Sequence, residues 1–178
     1  DRMTVLHHGR TLQTATPDAM LAQPASALVA RLTDQPNLFE GKVLQHLPAA
    51  DTTIIEWLGR PLLASHQPAF AVGATVSWLV PEAAVILVRE HQSERENTVT
   101  AVVSERLAWR GHATVSARVD GRREATLNFA IGAAVAQRRG IVPGASVPLQ
   151  LQKSAIRLLP GDVAIAGQAG TSGQGQSP

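Results

Sequence analysis

Along most of this chain apolar and polar residues alternate in short runs, and glycine, proline or small polar clusters cut each run before it grows long. The opening reads as a hairpin over residues 3–13: MTVLHH, a turn at Gly9-Arg10, then TLQ. Thr16-Pro17-Asp18 is a helix start, with Thr as N-cap, Pro in the first turn and an acid beside it. That helix spans 17–22 and halts before Pro24; Ser26 caps a second, with Leu28, Val29 and Leu32 on one face. After Asn37 the texture turns to β, and strands are predicted over 40–47, 52–58, 61–65, 75–80 and 85–89. A polar stretch, 91–97, precedes a second set over 98–107, 112–119, 124–129, 147–152 and 155–159. Asp120-Gly121 reads as a two-residue hairpin turn. Residues 131–138 read as a short helix closed by Gly140.

Residues 73–88 (GATVSWLVPEAAVILV) align without a gap on 144–159 (GASVPLQLQKSAIRLL). Two copies of a strand–turn–strand unit predict a duplicated β module with one shared core, and two copies are too few for a solenoid. The organisation expected is a hairpin with two helices over 1–36, a first β module over 37–90, a second over 91–160, and a disordered Gly/Ser/Gln-rich tail over 161–178. The fold class is mainly β. Five short strands with a late helix suggest a small OB-like barrel in each module, although an open sandwich satisfies the same periodicity.

Composition narrows the function more than it narrows the fold. The chain has 178 residues, no cysteine, no tyrosine and a net charge of +2. Disulfides and thiolate metal sites are therefore excluded, and a reducing compartment fits. Arginines are scattered among acids without interleaved aromatics, which argues against nucleic acid as a partner. No apolar run approaches the ~20 residues that span a bilayer.

Catalytic chemistry is not visible. His7-His8 is the one histidine pair, and neighbours on a strand point to opposite faces, which disfavours a shared metal ion. His46, His66, His91 and His112 stand singly near turns and read as solvated. No GxxxxGK[ST] phosphate loop occurs. Trp57, Trp78 and Trp109 are expected to fill the barrel cores or the seam between them. Two polar clusters remain: Ser93-Glu94-Arg95-Glu96-Asn97 before the second module, and Lys153-Ser154 in the turn between its last strands. Hydroxyl, guanidinium and ammonium groups are what a small oxyanion needs. At the equivalent turn the first module has Pro81-Glu82-Ala83, so the charge inverts between the copies.

The first forty residues carry an ordered set of motifs: Asp1-Arg2, Val5-Leu6, His8-Gly9-Arg10, Gln13, Thr16-Pro17, Pro24, Val29-Ala30 and Asn37. In order and spacing they resemble the region after the nucleotide-binding core in ATP-binding subunits of ABC importers. The remainder, to about Pro160, resembles the TOBE accessory domain of importers for molybdate, sulfate, iron, polyamines or sugars. Val80-Pro81-Glu82 resembles that family's Arg-Pro-Glu step, with Val80 in place of Arg. The resemblance implies a regulatory and dimerising region of a transport ATPase, cytoplasmic and peripheral to the inner membrane face through permease subunits. ATP, Mg and the catalytic motifs would then belong to a parent protein, upstream of Asp1, and no cofactor to this region. Ser93, Arg95 and Asn97 resemble the family's Ser-Ala-Arg-Asn oxyanion segment with one residue inserted, and Lys153-Ser154 its Lys-Ala-Ser turn. Glu94 and Glu96 oppose an anion there. The rival reading is a free-standing cytoplasmic oxyanion-binding storage or carrier protein of paired barrels.

Overall fold

A computed structural model describes residues 1–89 and 95–160. The polar stretch 91–97 lies partly, and the predicted tail 161–178 wholly, outside the described residues.

The chain begins with the expected hairpin, β1 (Met3–His7) and β2 (Arg10–Ala15), followed by α1 (Pro17–Ala22) and α2 (Ala27–Leu32). Both expected N-caps form: the Thr16 hydroxyl accepts from Ala19 N at 3.3 Å, and the Ser26 hydroxyl from Val29 N at 3.3 Å. Val5, Met20 and Val29 close a small core of their own. Ala30 of α2 packs with Leu79 and Leu159, which fixes this head to the β-rich remainder of the chain.

Strands β3 (Leu38–Leu47), β4 (Thr52–Trp57), β5 (Arg60–Ala64), β6 (Thr75–Leu79) and β7 (Val85–Leu87) come next. They are followed by β8 (Thr98–Trp109), β9 (His112–Val119), β10 (Thr126–Gly132), α3 (Ala133–Arg138), β11 (Ser146–Leu151) and β12 (Arg157–Pro160). Three turns join their strands through two residues, His8-Gly9, Leu58-Gly59 and Arg110-Gly111, all with positive φ, the conformation whose twist suits a two-residue hairpin. Asp120-Gly121 also has positive φ at both residues, but a 3-10 turn (Arg123–Ala125) lies between it and β10. That connection is therefore longer than the dipeptide alone implies. β10 runs to Gly132, so α3 begins later than the composition suggested.

Ten of these strands form two antiparallel five-stranded sheets, ordered β12-β6-β3-β4-β5 and β10-β9-β8-β11-β7. The sequence places the boundary between the modules near residue 90, but the sheets cross it. β7 leaves the first half to pair with β11, and β12 leaves the second half to pair with β6. Each repeated segment is thus two strands in different sheets, joined by a 3-10 turn (Glu82–Ala84 or Lys153–Ala155) that redirects the chain into its neighbour. The two turns touch where they cross, Gln152 N donating to Ala84 O at 3.0 Å. A turn signal in a sequence fixes that the chain bends, and not which sheet it enters.

The duplication is accurate at the level of single hydrogen bonds. Gly73 N donates to Val43 O and Gly144 N to Val103 O, each at 2.8 Å, with both glycines at positive φ. β3 and β8 carry a register shift at matching places, Val43/Gln45 and Val103/Glu105. β10 and β7 lie side by side, which nearly closes the second sheet into a barrel. Gln67, just beyond β5, bridges the first sheet: its Nε2 donates to Ile156 O at 3.2 Å and its Oε1 accepts from Leu158 N at 2.9 Å. A single apolar core runs through both sheets, from Phe39 to Leu158. Trp57 and Trp78 lie in it, packed against Phe39 with tilted rings and edge-on to each other. Trp109 does not: at the tip of the β8–β9 hairpin it is 73% exposed.

Candidate functional site

Two asparagines, each at the entrance to its half's first strand, clasp the sheets together. Asn97, in the left-handed conformation, accepts from Leu63 N at 2.8 Å and donates to Leu63 O at 2.7 Å and Leu151 O at 3.2 Å. Asn37 does the same in the other direction, donating to Asn128 O at 2.8 Å and accepting from Asn128 N at 2.7 Å. Leu63 and Asn128 lie on β5 and β10, the edge strands of opposite sheets, so each asparagine satisfies the free edge of the other half's sheet. Asn97 was a candidate ligand residue; its amide is engaged in holding the two halves together.

The seam beside this clasp opens into a cavity of about 520 Å³. Asp51 and Ser65 line it from the first sheet's side, Ile86 and Gln150 from the second's, and Arg95, Glu96, Gln152, Lys153 and Ser154 complete it. Three of the five sequence-predicted residues, Arg95, Lys153 and Ser154, therefore face one space. Ser93 lies outside the described residues. The Lys153 ammonium donates to Thr52 Oγ1 at 2.6 Å and to Ala50 O at 3.2 Å. An ammonium has three donors, so one remains for a ligand in a position already fixed by the other two. Arg95 and Lys153 bring positive charge to the lining, and Asp51 and Glu96 offset it, so the cavity offers directed donors more than net charge.

Asp51, Ser65, Ile86, Gln150 and Gln152 were not anticipated in this lining. Gln152 adjoins Lys153 in sequence, but the others come from distant elements and carried no local signal. Asp51 also has positive φ, and its Oδ1 accepts from His66 N at 3.2 Å. His46, expected in solvent, is half-buried with both ring nitrogens engaged, at 3.0 Å from Thr53 Oγ1 and 2.7 Å from Phe70 O. His7 and His8 are not splayed apart: His8 is a left-handed turn residue, and its ring meets that of His7 edge-on, centroids 4.1 Å apart. Among the described residues no three His, Asp or Glu side chains are grouped as a metal would require. None of their helices is long and apolar enough to cross a membrane.

The fold is mainly β and OB-like, with a duplicated module, a second sheet nearly closed into a barrel, and a polar-lined cavity at the seam between the halves. Two comparisons give this description particular counterparts. The chain is 28% identical over 165 residues to the sulfate/thiosulfate import ATP-binding protein CysA 2 of Chromobacterium violaceum, across 92% of its own length. It spans only 42% of that protein. Its fold is similar to that of the cytoplasmic molybdate-binding protein ModG, crystallised with molybdate bound, with a TM-score of 0.59 and 19% identity. That match covers 72% of this chain and 98% of ModG. No family model matches the chain.

Proposed function

We propose that this chain is a regulatory and dimerising region of the ATP-hydrolysing subunit of an ABC importer, and that it senses an imported oxyanion in the seam cavity. The observation that carries the reading is the alignment with the sulfate/thiosulfate import protein, which runs through head and barrels together across 92% of the chain. ATP and Mg would be handled by the parent protein, whose permease partners would hold it at the cytoplasmic face of the membrane. The ligand would be a tetrahedral oxyanion of the sulfate or molybdate class, held by the free Lys153 donor with Arg95 and Ser154; Ser93 belongs to the same proposed set.

The mechanism rests on where the cavity lies. Its lining comes from both sheets, so an anion held there favours one relative setting of the two over others. In a dimer of such regions that preference would bias the opening and closing of the attached ATPase pair. Titration calorimetry with molybdate, tungstate and sulfate is the test. Saturable binding, weakened about tenfold or more in Lys153→Ala, is expected, from the loss of one charge-assisted hydrogen bond. Absence of saturable binding of all three would remove the sensor, and a monomer at high concentration in sedimentation would remove the dimer.

A second reading, a free-standing oxyanion carrier, draws support from the matched fold accounting for 98% of the ModG chain. The DNA ahead of the Asp1 codon separates the two. An in-frame phosphate-loop motif supports the importer, and a stop codon supports the carrier.

A further inference from the structure

At the far side of the second sheet, α3 and the turn after it meet the end of β7 over a cavity of about 570 Å³. Arg89, Arg138 and Arg139 all line it, above an apolar floor that includes Leu87, Ile141 and Pro148, and Ser146 adds a hydroxyl at its rim. Among the described residues no carboxylate belongs to this lining, in contrast to the seam cavity, where Asp51 and Glu96 face Arg95 and Lys153. None of the three arginines forms an ion pair with a described residue. Arg139 is oriented by long contacts from its Nη1 to the carbonyls of Leu87 and Val88, at 3.4 and 3.5 Å. A guanidinium has five donors, so most of its capacity still faces the cavity.

The scaffold does not require this charge. Carried back along the repeat, Arg138-Arg139 falls on Gln67-Pro68 and Arg89 on Pro160, none of them charged. The same alignment holds in space just after these residues, since Ala74 N donates to Ala71 O as Ala145 N does to Val142 O, while α3 itself has no helical counterpart in the first copy. Three guanidiniums gathered on one copy alone, with no acid among the described residues of this lining to neutralise them, raise the local electrostatic cost unless an anion is present. The volume is in the range of small-molecule sites and far exceeds what one tetrahedral oxyanion fills.

We infer that this arginine-lined cavity is a second anion site, which takes a polyphosphate-type ligand with two or more linked phosphate groups. Guanidinium forks match phosphate oxygens in pairs, and several cations suit several adjacent anionic groups. The apolar floor leaves room for an organic body attached to them. This site is independent of the seam cavity and of the oxyanion reading.

The test is calorimetric titration of the chain with inorganic pyrophosphate, with citrate as a carboxylate control. Saturable pyrophosphate binding is expected, weakened about five- to tenfold by Arg89→Gln and by Arg138→Gln, as loss of one charge-assisted pair implies. Both arginines are exposed, so these variants should melt like the parent, whereas Arg139 also supports β7 and is left intact. Lys153→Ala should not alter the affinity. The inference is overturned by absence of saturable binding, by affinity unchanged in both arginine variants, by loss of binding in Lys153→Ala, or by citrate binding as tightly as pyrophosphate.

Discussion

Replacing Asn97 by alanine should weaken the whole molecule, because one side chain there satisfies three backbone groups from two elements. Its amide accepts from Leu63 N at 2.8 Å and donates to Leu63 O at 2.7 Å and Leu151 O at 3.2 Å. Each such bond contributes about 1 kcal/mol net, and the partners left behind on β5 and β11 lie in a seam where water replaces them poorly. Asn97 also has φ 56°, a conformation asparagine adopts readily and alanine at a cost of about 1 kcal/mol. The expected loss is therefore about 4 kcal/mol, a large part of the stability of a domain this size. Asn97→Gly removes the same bonds without the conformational cost and should lose about 1 kcal/mol less. Urea unfolding followed by circular dichroism reads both, with a shared slope as the check that one transition is compared. Asn37→Ala, which breaks the reciprocal pair to Asn128, should fall between a neutral surface change and Asn97→Ala. The reasoning fails if Asn97→Ala costs less than about 1 kcal/mol, the value of a single replaceable bond.

Two further outcomes probe the core and its edge. Gly41 lies where an added Cβ would sit 2.8 Å from Glu56 O and 3.3 Å from Trp78 Cδ1, so Gly41→Ala must shift the β3–β4 pairing and should cost about 2 kcal/mol in the same urea assay; a neutral result would mean the strands slide freely. Trp57 and Trp78 are buried and Trp109 is 73% exposed, so iodide should quench one component of the fluorescence. Trp109→Phe should abolish that component while changing stability by less than about 0.5 kcal/mol; persistent quenching would place another tryptophan at the surface.

Alternation and turn residues carried most of the secondary structure, because period-two burial and positive-φ turns are local properties. Thr16 and Ser26 could be read as caps for the same reason. The exchange of β7 and β12 was not legible, since β6 and β11 offer them similar edges and only three-dimensional closure selects between the two. Trp109 illustrates another limit: a strand pattern gives the face of a residue but not how far the hairpin projects beyond the core. Of the candidate site, Arg95, Lys153 and Ser154 converge as their chemistry suggested, and Asn97 was chemically apt but is engaged elsewhere. Asp51 and Ser65 in the same lining come from the first sheet's side, and no spacing in the sequence connects them to Lys153.

What the two halves share and what they do not can be separated by kind. The shared features are those that set backbone geometry: Gly73 with Gly144, the bulges in β3 and β8, and the Asn37 and Asn97 clasps. Each is fixed by a bond whose loss would open a sheet edge or break the seam. The differences lie in side chains that the backbone pattern leaves free, and several of them change charge. Glu82 stands opposite Lys153 in the repeat, and Gln67-Pro68 opposite Arg138-Arg139. His46 contacts Phe70 O where Arg106 donates to Ile141 O, the same task performed by a different side chain. An interlocked pair of sheets can tolerate such divergence, because neither half can open alone while the exchanged strands and clasps stay in place. Both cavities in which anion binding is proposed lie where the copies have diverged, and the sequence difference between the repeats is therefore a better guide to ligand chemistry in this protein than the likeness that reveals its fold.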